Sequence, residues 1–284
     1  MTKLVALVDG SIYAQSVCDH AAWIAGRTDA EVEILHVLGR RDMAATPQDF
    51  SGSIALGART ALLDELSALD EQRAKLAQKR GRAILEDAKA IVEKAGVAAV
   101  TTKLRIGDIV ETVAESEADA DLLIVGKRGE AADFAKAHLG SNLERIVRSS
   151  DKPVFVASRA FQPIERVLVA YDGGVSAMKA VDHIARSRLF AGLTCRVLLV
   201  GQETVEAKRR IADARAVLEG AGHTVETEIA AGQPETVIAD TVSREKIGLL
   251  VMGAYGHSRI RSLVIGSTTT EMVRSCKIPV MLFR

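Results

Sequence analysis

The feature that most constrains this chain is that its landmarks occur twice, in the same order. Lys3-Leu-Val-Ala-Leu-Val-Asp9-Gly10-Ser11 is answered by Arg166-Val-Leu-Val-Ala-Tyr-Asp172-Gly173-Gly174, at an offset of 163. Ala14 then falls on Ala177, Asp19-His20 on Asp182-His183, and Glu33-Ile-Leu-His-Val37 on Arg196-Val-Leu-Leu-Val200. Later the offset is about 126: Gly140-Ser141 answers Gly266-Ser267, Arg148-Ser149 answers Arg274-Ser275, and Lys152-Pro153-Val154 answers Ile278-Pro279-Val280. The drop means that the first copy carries roughly 36 extra residues between Gly39 and Ala98. Such a duplication predicts two similar units, each with its own core, and 284 residues are enough for both.

Within each copy, short Val/Ile/Leu runs alternate with stretches of helical period. Strands are predicted at 4–8, 31–38, 99–106, 121–126 and 153–157, and again near 166–171, 195–200, 224–230, 248–252 and 279–283. Strand and helix in alternation imply an α/β fold, with doubly wound parallel sheets and helices on both faces. Aromatic residues are only 4%, so the cores must rest on Val, Ile, Leu and Ala, which suits buried parallel strands. The domains are read as 1–158 and 163–284, with Pro163 breaking the pattern at the join. The first contains a helical insertion at about 40–95, rich in Leu, Ala, Glu and Lys. That insertion reads as an elongated helical hairpin capping the domain, with a lid or partner-binding arm as the other reading. The closing strands Pro153–Ala157 and Pro279–Phe283 are apolar and end their sheets. Each would be an exposed edge if unpaired.

Charge and composition exclude several function classes. The 37 basic and 37 acidic residues cancel, which leaves no global field and argues against nucleic acid and anionic membrane as partners. No run approaches the ~20 apolar residues needed to span a bilayer. The start lacks the pattern of a signal peptide, so a cytoplasmic location is expected. Cys18, Cys195 and Cys276 are scattered and form no CxxC pair, which speaks against a disulfide framework or a metal site.

The second copy places glycines where a phosphate site needs them. Its first strand ends at Asp172-Gly173-Gly174 and its fourth at Gly253-Ala-Tyr-Gly256, followed after nine residues by Gly266-Ser267-Thr268-Thr269. Glycines let main-chain N–H groups approach an anion without a Cβ in the way. Gly266-Ser267 opens a helix, where unpaired N–H groups and the dipole favour phosphate oxygens, and Ser267, Thr268 and Thr269 add hydroxyls. Asp172 stands ready to accept from ribose hydroxyls. The plainer alternative is that these glycines only shape a turn and Ser267 only caps a helix. There is no G-x-G-x-x-G after the first strand, no G-x-x-x-x-G-K-[ST], no H-E-x-x-H and no G-x-S-x-G. Asp172-Gly-Gly-Val-Ser176 shares only part of the S-G-G-x-D-S loop of ATP pyrophosphatases.

The pattern G-x2-G-x9-G-[ST], met by Gly253, Gly256, Gly266 and Ser267, resembles the ATP-binding motif of universal stress proteins. The Asp-ended first strands and the closing Pro-Val strands look like the same family, and the likeness covers both halves. The resemblance implies two fused Rossmann-like domains, of the adenine nucleotide alpha hydrolase-like type, that pack as a pseudo-dimer through the closing strands. It implies ATP as cofactor, with Mg²⁺ as its counter-ion, and a stress-response role in which bound nucleotide sets conformation or partner choice. Adenine would rest against positions matched by Ala170, Tyr171, Asp172 and Val200, and the phosphates against Gly253, Gly256, Gly266, Ser267 and Thr268. Met252, His257 and Thr269 complete the candidate set. A weaker second site would use Asp9, Val37, Gly126, Gly129, Gly140 and Ser141. There, ten residues precede Gly140 and Asn142-Leu143 replaces the threonine pair.

No histidine has a matched base or metal partner. His36 reads as a core histidine, and His20 and His183 as packing or capping residues inherited by duplication. No catalytic residue is assigned, and a non-enzymatic nucleotide-binding protein is the leading expectation. A structural or interaction protein and a slow ATPase are its rivals. A homodimer is expected, with the helical segment near 55–95 a candidate surface.

Overall fold

Short β-branched runs flanked by amphipathic helices can bury both of their faces only as inner strands of a covered sheet. The computed structural model describes residues 2–39, 56–129, 141–254 and 266–284, the side chains of 56–63 and of Ser141 excepted. The first copy runs β1 (Lys3–Leu7), α1 (Ala14–Thr28), β2 (Glu31–Leu38), α2 (Leu56–Lys94), β3 (Val100–Ile106), α3 (Ile109–Glu117), β4 (Leu122–Gly126), α4 (Ser141–Ser149) and β5 (Val154–Ala157). The second runs β6 (Arg166–Ala170), α5 (Val175–Arg186), a 3-10 turn (Arg188–Phe190), β7 (Thr194–Val200), α6 (Val205–Gly220), β8 (Thr224–Ala230), α7 (Pro234–Arg244), β9 (Leu249–Gly253), α8 (Ser267–Ser275) and β10 (Val280–Phe283). Every predicted strand is present.

The strands form one sheet of ten, in the order β3-β2-β1-β4-β5-β10-β9-β6-β7-β8. Within each copy the pairings are parallel. The seam between the copies is antiparallel, with Val280 opposite Val156, Met281 opposite Phe155 and Leu282 opposite Val154. The predicted pseudo-dimer is therefore a single sheet running through both halves. Alternation along the strands divides the core in two. One layer, with Val167, Val169, Phe155 and Met281, lies under α1, α2, α5 and α6. The other, with Leu168, Leu250, Val156 and Leu282, lies under α3, α4, α7 and α8.

The described part of the insertion, Leu56–Lys94, is not a hairpin. It is one helix of 39 residues, α2. Its buried positions Gly81, Leu85, Ala88 and Val92 match Ala207, Ile211, Ala214 and Leu218 of α6 at an offset of 126, and all are buried. Both helices end at glycines with left-handed backbone, Gly96 (φ 96°) and Gly222 (φ 87°). The second half of α2 is thus part of the common fold, and the helix without a counterpart is Leu56–Gln78. A pattern rich in helix formers shows that a segment is helical; it does not show that the segment fails to turn.

Polar contacts lock the seam from one side. The Arg27 guanidinium donates to the carbonyls of Leu189 (2.6 Å) and Ala191, and it stacks over the Trp23 ring. Arg188 pairs with Asp29 at 2.9 Å. The duplicated histidines stand at this join. His20, with Nδ1 2.6 Å from the Ser16 carbonyl, packs on Phe155 and Phe161, and His183 packs on Phe283 and Phe190. His36 is a satisfied core histidine, with Nδ1 2.7 Å from the Val8 carbonyl. All three cysteines are buried and free, and burial pushes the Cys18 thiol up to about 12. Among the described residues no helix is long and apolar enough to cross a membrane.

Two outcomes follow for the seam. Replacing Val280 and Leu282 together by Lys buries two unpaired charges in it, so solution scattering should report a larger radius. Burial also lowers the His20 and His183 pKa values below the ordinary 6.5. Near and just below 6.5 the unfolded chain then binds more protons than the folded one. Stability is complete above that value and falls as pH drops through it toward the depressed folded values. Urea midpoints measured on either side should show this loss, and it should shrink in a His20→Leu/His183→Leu variant.

Candidate functional site

In an open parallel sheet the place for a ligand is beyond the carboxyl ends of the strands, where strand order reverses. In the second copy that point lies between β6 and β9. Just past β6, the Asp172 carboxylate accepts from the Gly174 amide (2.8 Å) and folds the chain into α5. Gly173 sits at φ +76°, which suits glycine. On the neighbouring strand, a Cβ on Gly253 would come within 3.0 Å of the Ser176 Cβ, so this glycine lets the first turn of α5 pack against the end of β9. Beyond it the Ala254 amide donates to the Phe283 carbonyl (2.7 Å), and the Gly266 amide donates to the Ala254 carbonyl (3.2 Å). These bonds bring the start of α8 beside the end of β9. Gly266 caps α8 without a side-chain bond, and the first-turn amides of a helix lack partners within it.

The other predicted residues take different places. Ala170 and Val200 are half-buried on the face that α7 and α8 cover, beside Ala230 and Val237, and together they make an apolar shelf. Met252 lies on the same face but is buried in the core. Tyr171 belongs to the opposite layer, where burial pushes its phenol pKa up, so only its backbone borders the site. Ser267 is exposed. The other two hydroxyls read as phosphate donors are committed: Thr268 donates to Glu235 Oε1 (2.8 Å), and buried Thr269 donates to the Gly253 carbonyl (3.1 Å). Gly256, His257 and Gly140 lie outside the described residues, as does the side chain of Ser141.

Two residues at the site escaped the sequence reading. The Glu235 carboxylate, at the start of α7, is held below its ordinary range by its own backbone amide and by Thr268. Arg210 of α6 lies over the Asp172 turn: a Cβ on Gly173 would be 2.7 Å from its Cδ. It pairs with Glu206. The signal was available, since the register between the copies sets Arg210 against Ile84 and Glu235 against Val110. Polar residues facing apolar ones across an internal repeat mark where one copy has been specialised.

The first copy repeats the frame. Asp9 accepts from the Ser11 amide (3.0 Å), and Gly126 meets Tyr13 where Gly253 meets Ser176. At Gly129 the backbone comes close to Asp9. A Cβ on Gly129 would lie 2.9 Å from Asp9 Oδ2, so the backbone there comes up against the carboxylate itself. Lys127 is half-buried, and it donates to the Cys276 carbonyl at the end of α8. Desolvation lowers its pKa to about 8. Val37 is half-buried like Val200. Among the described residues no group of His, Cys, Asp and Glu side chains is placed to hold a metal ion.

Comparison with known proteins gives one answer. The universal stress protein family model matches residues 1–158 and 197–284. Universal stress protein Slr1230 of Synechocystis sp. is 39% identical over 287 residues, covering 100% of both chains. A universal stress protein of Archaeoglobus fulgidus superposes with a TM-score of 0.68 over 99% of this chain and 98% of that one, at 20% identity. A Pseudomonas aeruginosa protein described as functionally unknown gives 0.62 over 100% and 92%, at 17% identity. The two structures speak to the fold alone.

The Asp172 turn is testable apart from any ligand. Asp172→Asn keeps an oxygen to accept from Gly174 and should leave stability within about 0.5 kcal/mol, whereas Asp172→Ala should lose about 1 kcal/mol in urea unfolding.

Proposed function

The chain belongs to the universal stress protein family, and from that premise we propose that its second copy binds ATP with Mg²⁺ and that the bound nucleotide acts as a regulatory ligand. The observation that carries this reading is the convergence at the β6/β9 reversal of the Asp172 turn, the end of β9 and the start of α8. Adenine would lie on the shelf of Ala170, Val200, Ala230 and Val237. The ribose would meet Asp172, and the phosphates the amides opening α8 together with Ser267. Thr269 then holds α8 to β9 and does not serve as a phosphate donor. By the spacing of the motif, Gly256 and His257 would serve the phosphates as well.

Glu235 puts a carboxylate near the phosphate end, which favours a triphosphate whose charge is reduced by a divalent cation. Arg210, beside Asp172, supplies the opposite sign. The first copy does not support the same reading: its loop backbone abuts Asp9, and Lys127 is spent on the seam. A structural role fits that half better. Among the described residues no pair of groups suited to general acid and base work stands at the site, and we prefer a binding role to an ATPase.

ATP with Mg²⁺ should raise the melting temperature, by about 2.7 kcal/mol of stabilisation at about 100 Kd. Gly256→Val should remove the shift, and an unchanged shift would relocate the site. Calorimetry should find one tight nucleotide per chain, and two equal sites would count against the asymmetry between the copies.

A further inference from the structure

The helix α2 contains a part that the fold does not need. Its counterpart α6 starts five residues after β7 ends at Val200 and runs back along the sheet. In α2 the matching stretch begins near Lys79, and Gly81 already lies against His36 and Leu104: a Cβ there would be 2.9 Å from Leu104 Cδ1. Leu56–Gln78 therefore continues past the carboxyl ends of the first copy's strands, a reach of about 35 Å. Leu69 and Leu76 are 50% and 67% exposed on it.

The sequence of this arm is ordered in two ways. Leu62, Leu66, Leu69, Arg73 and Leu76 follow alternating spacings of four and three, the seam of a two-stranded coiled coil. From Asp64 onward its charges are segregated, with Asp70 among the acids. Asp64, Glu65 and Glu71 occupy the first part, and Arg73, Lys75 and Lys79 the second, all six exposed. A helix with acids before bases is complementary to itself only when reversed. Side by side in the same direction, acids would face acids.

We propose that this projecting part of α2 is a self-association arm that pairs antiparallel with the same segment of a second copy of the chain. Reversal about a two-fold axis near Glu71–Arg73 brings Leu66 of one copy to Leu76 of the other and sets Glu65 against Lys79. The contact is isologous and closes as a dimer. It is separate from the sheet seam, which the two domains already fill within one chain. The Glu71–Lys75 pair within the helix, at 2.6 Å, supports the helix before association and can exchange for contacts across it.

Analytical ultracentrifugation of the full chain tests this with charge exchange, which keeps the helix formers and so keeps the fold. The wild type should be a dimer, weakened by salt. Asp64→Lys/Glu65→Lys/Glu71→Lys and, separately, Arg73→Glu/Lys75→Glu/Lys79→Glu should each be monomers with unchanged circular dichroism. Mixed in equal amounts, the two variants should form a heterodimer. A monomeric wild type would overturn the proposal, whether the arm is covered by another partner or by the chain itself. So would dimers that persist in both variants, or a mixture that fails to pair.

Discussion

Everything in this molecule hangs on the antiparallel pairing of β5 with β10. Each copy ends its sheet on a short apolar strand whose free edge would be an open template for other chains. Setting Val154–Val156 against Val280–Leu282 satisfies both edges at once and turns two five-stranded sheets into one of ten. The same contact puts equivalent helices of the two copies on the same face. It also brings α1 to the 3-10 turn of the second copy, where Arg27 fastens the join through backbone carbonyls, and it gathers the duplicated histidines against Phe155 and Phe283.

With the seam inside one chain, the two copies are free to differ. A symmetric dimer of single units must carry the same site twice, whereas a fused pair can keep one and spend the other. The second copy carries Arg210 and Glu235 around its reversal point, where the first has Ile84 and Val110. In the first copy the residues near the loop are used for structure: Gly129 closes against Asp9, and Lys127 reaches the carbonyl that ends α8. That bond ties the first copy's loop to the helix whose other end opens the second copy's site.

The fold was legible in the sequence because strand runs, their β-branched composition and the repeat all pointed the same way. Val167, Leu168 and Val169 can only be an inner strand, and the matched Pro-Val strands announced the seam. What could not be read was direction and commitment. Ala170 and Tyr171 are adjacent in sequence but belong to opposite faces of the sheet, a consequence of the two-residue period that motif matching ignores. Thr268 and Thr269 looked like phosphate donors by type, yet which oxygen a hydroxyl serves depends on Glu235 and Gly253, neighbours brought in by folding. The long helix posed the converse problem, since residues 56–94 carry no proline and Gly81 alone does not separate one helix from two.

A duplicated fold that keeps one nucleotide site per chain, at the β6/β9 reversal, has a definite stoichiometry. Native mass spectrometry of the intact protein, after exposure to ATP and Mg²⁺, tests it most directly. The account predicts a mass increment of one adenine nucleotide per chain, lost when Ala170 and Val200 on the adenine shelf are both replaced by Glu and kept when Val37 is. Two nucleotides per chain, none at all, or one that survives the shelf replacement would contradict it.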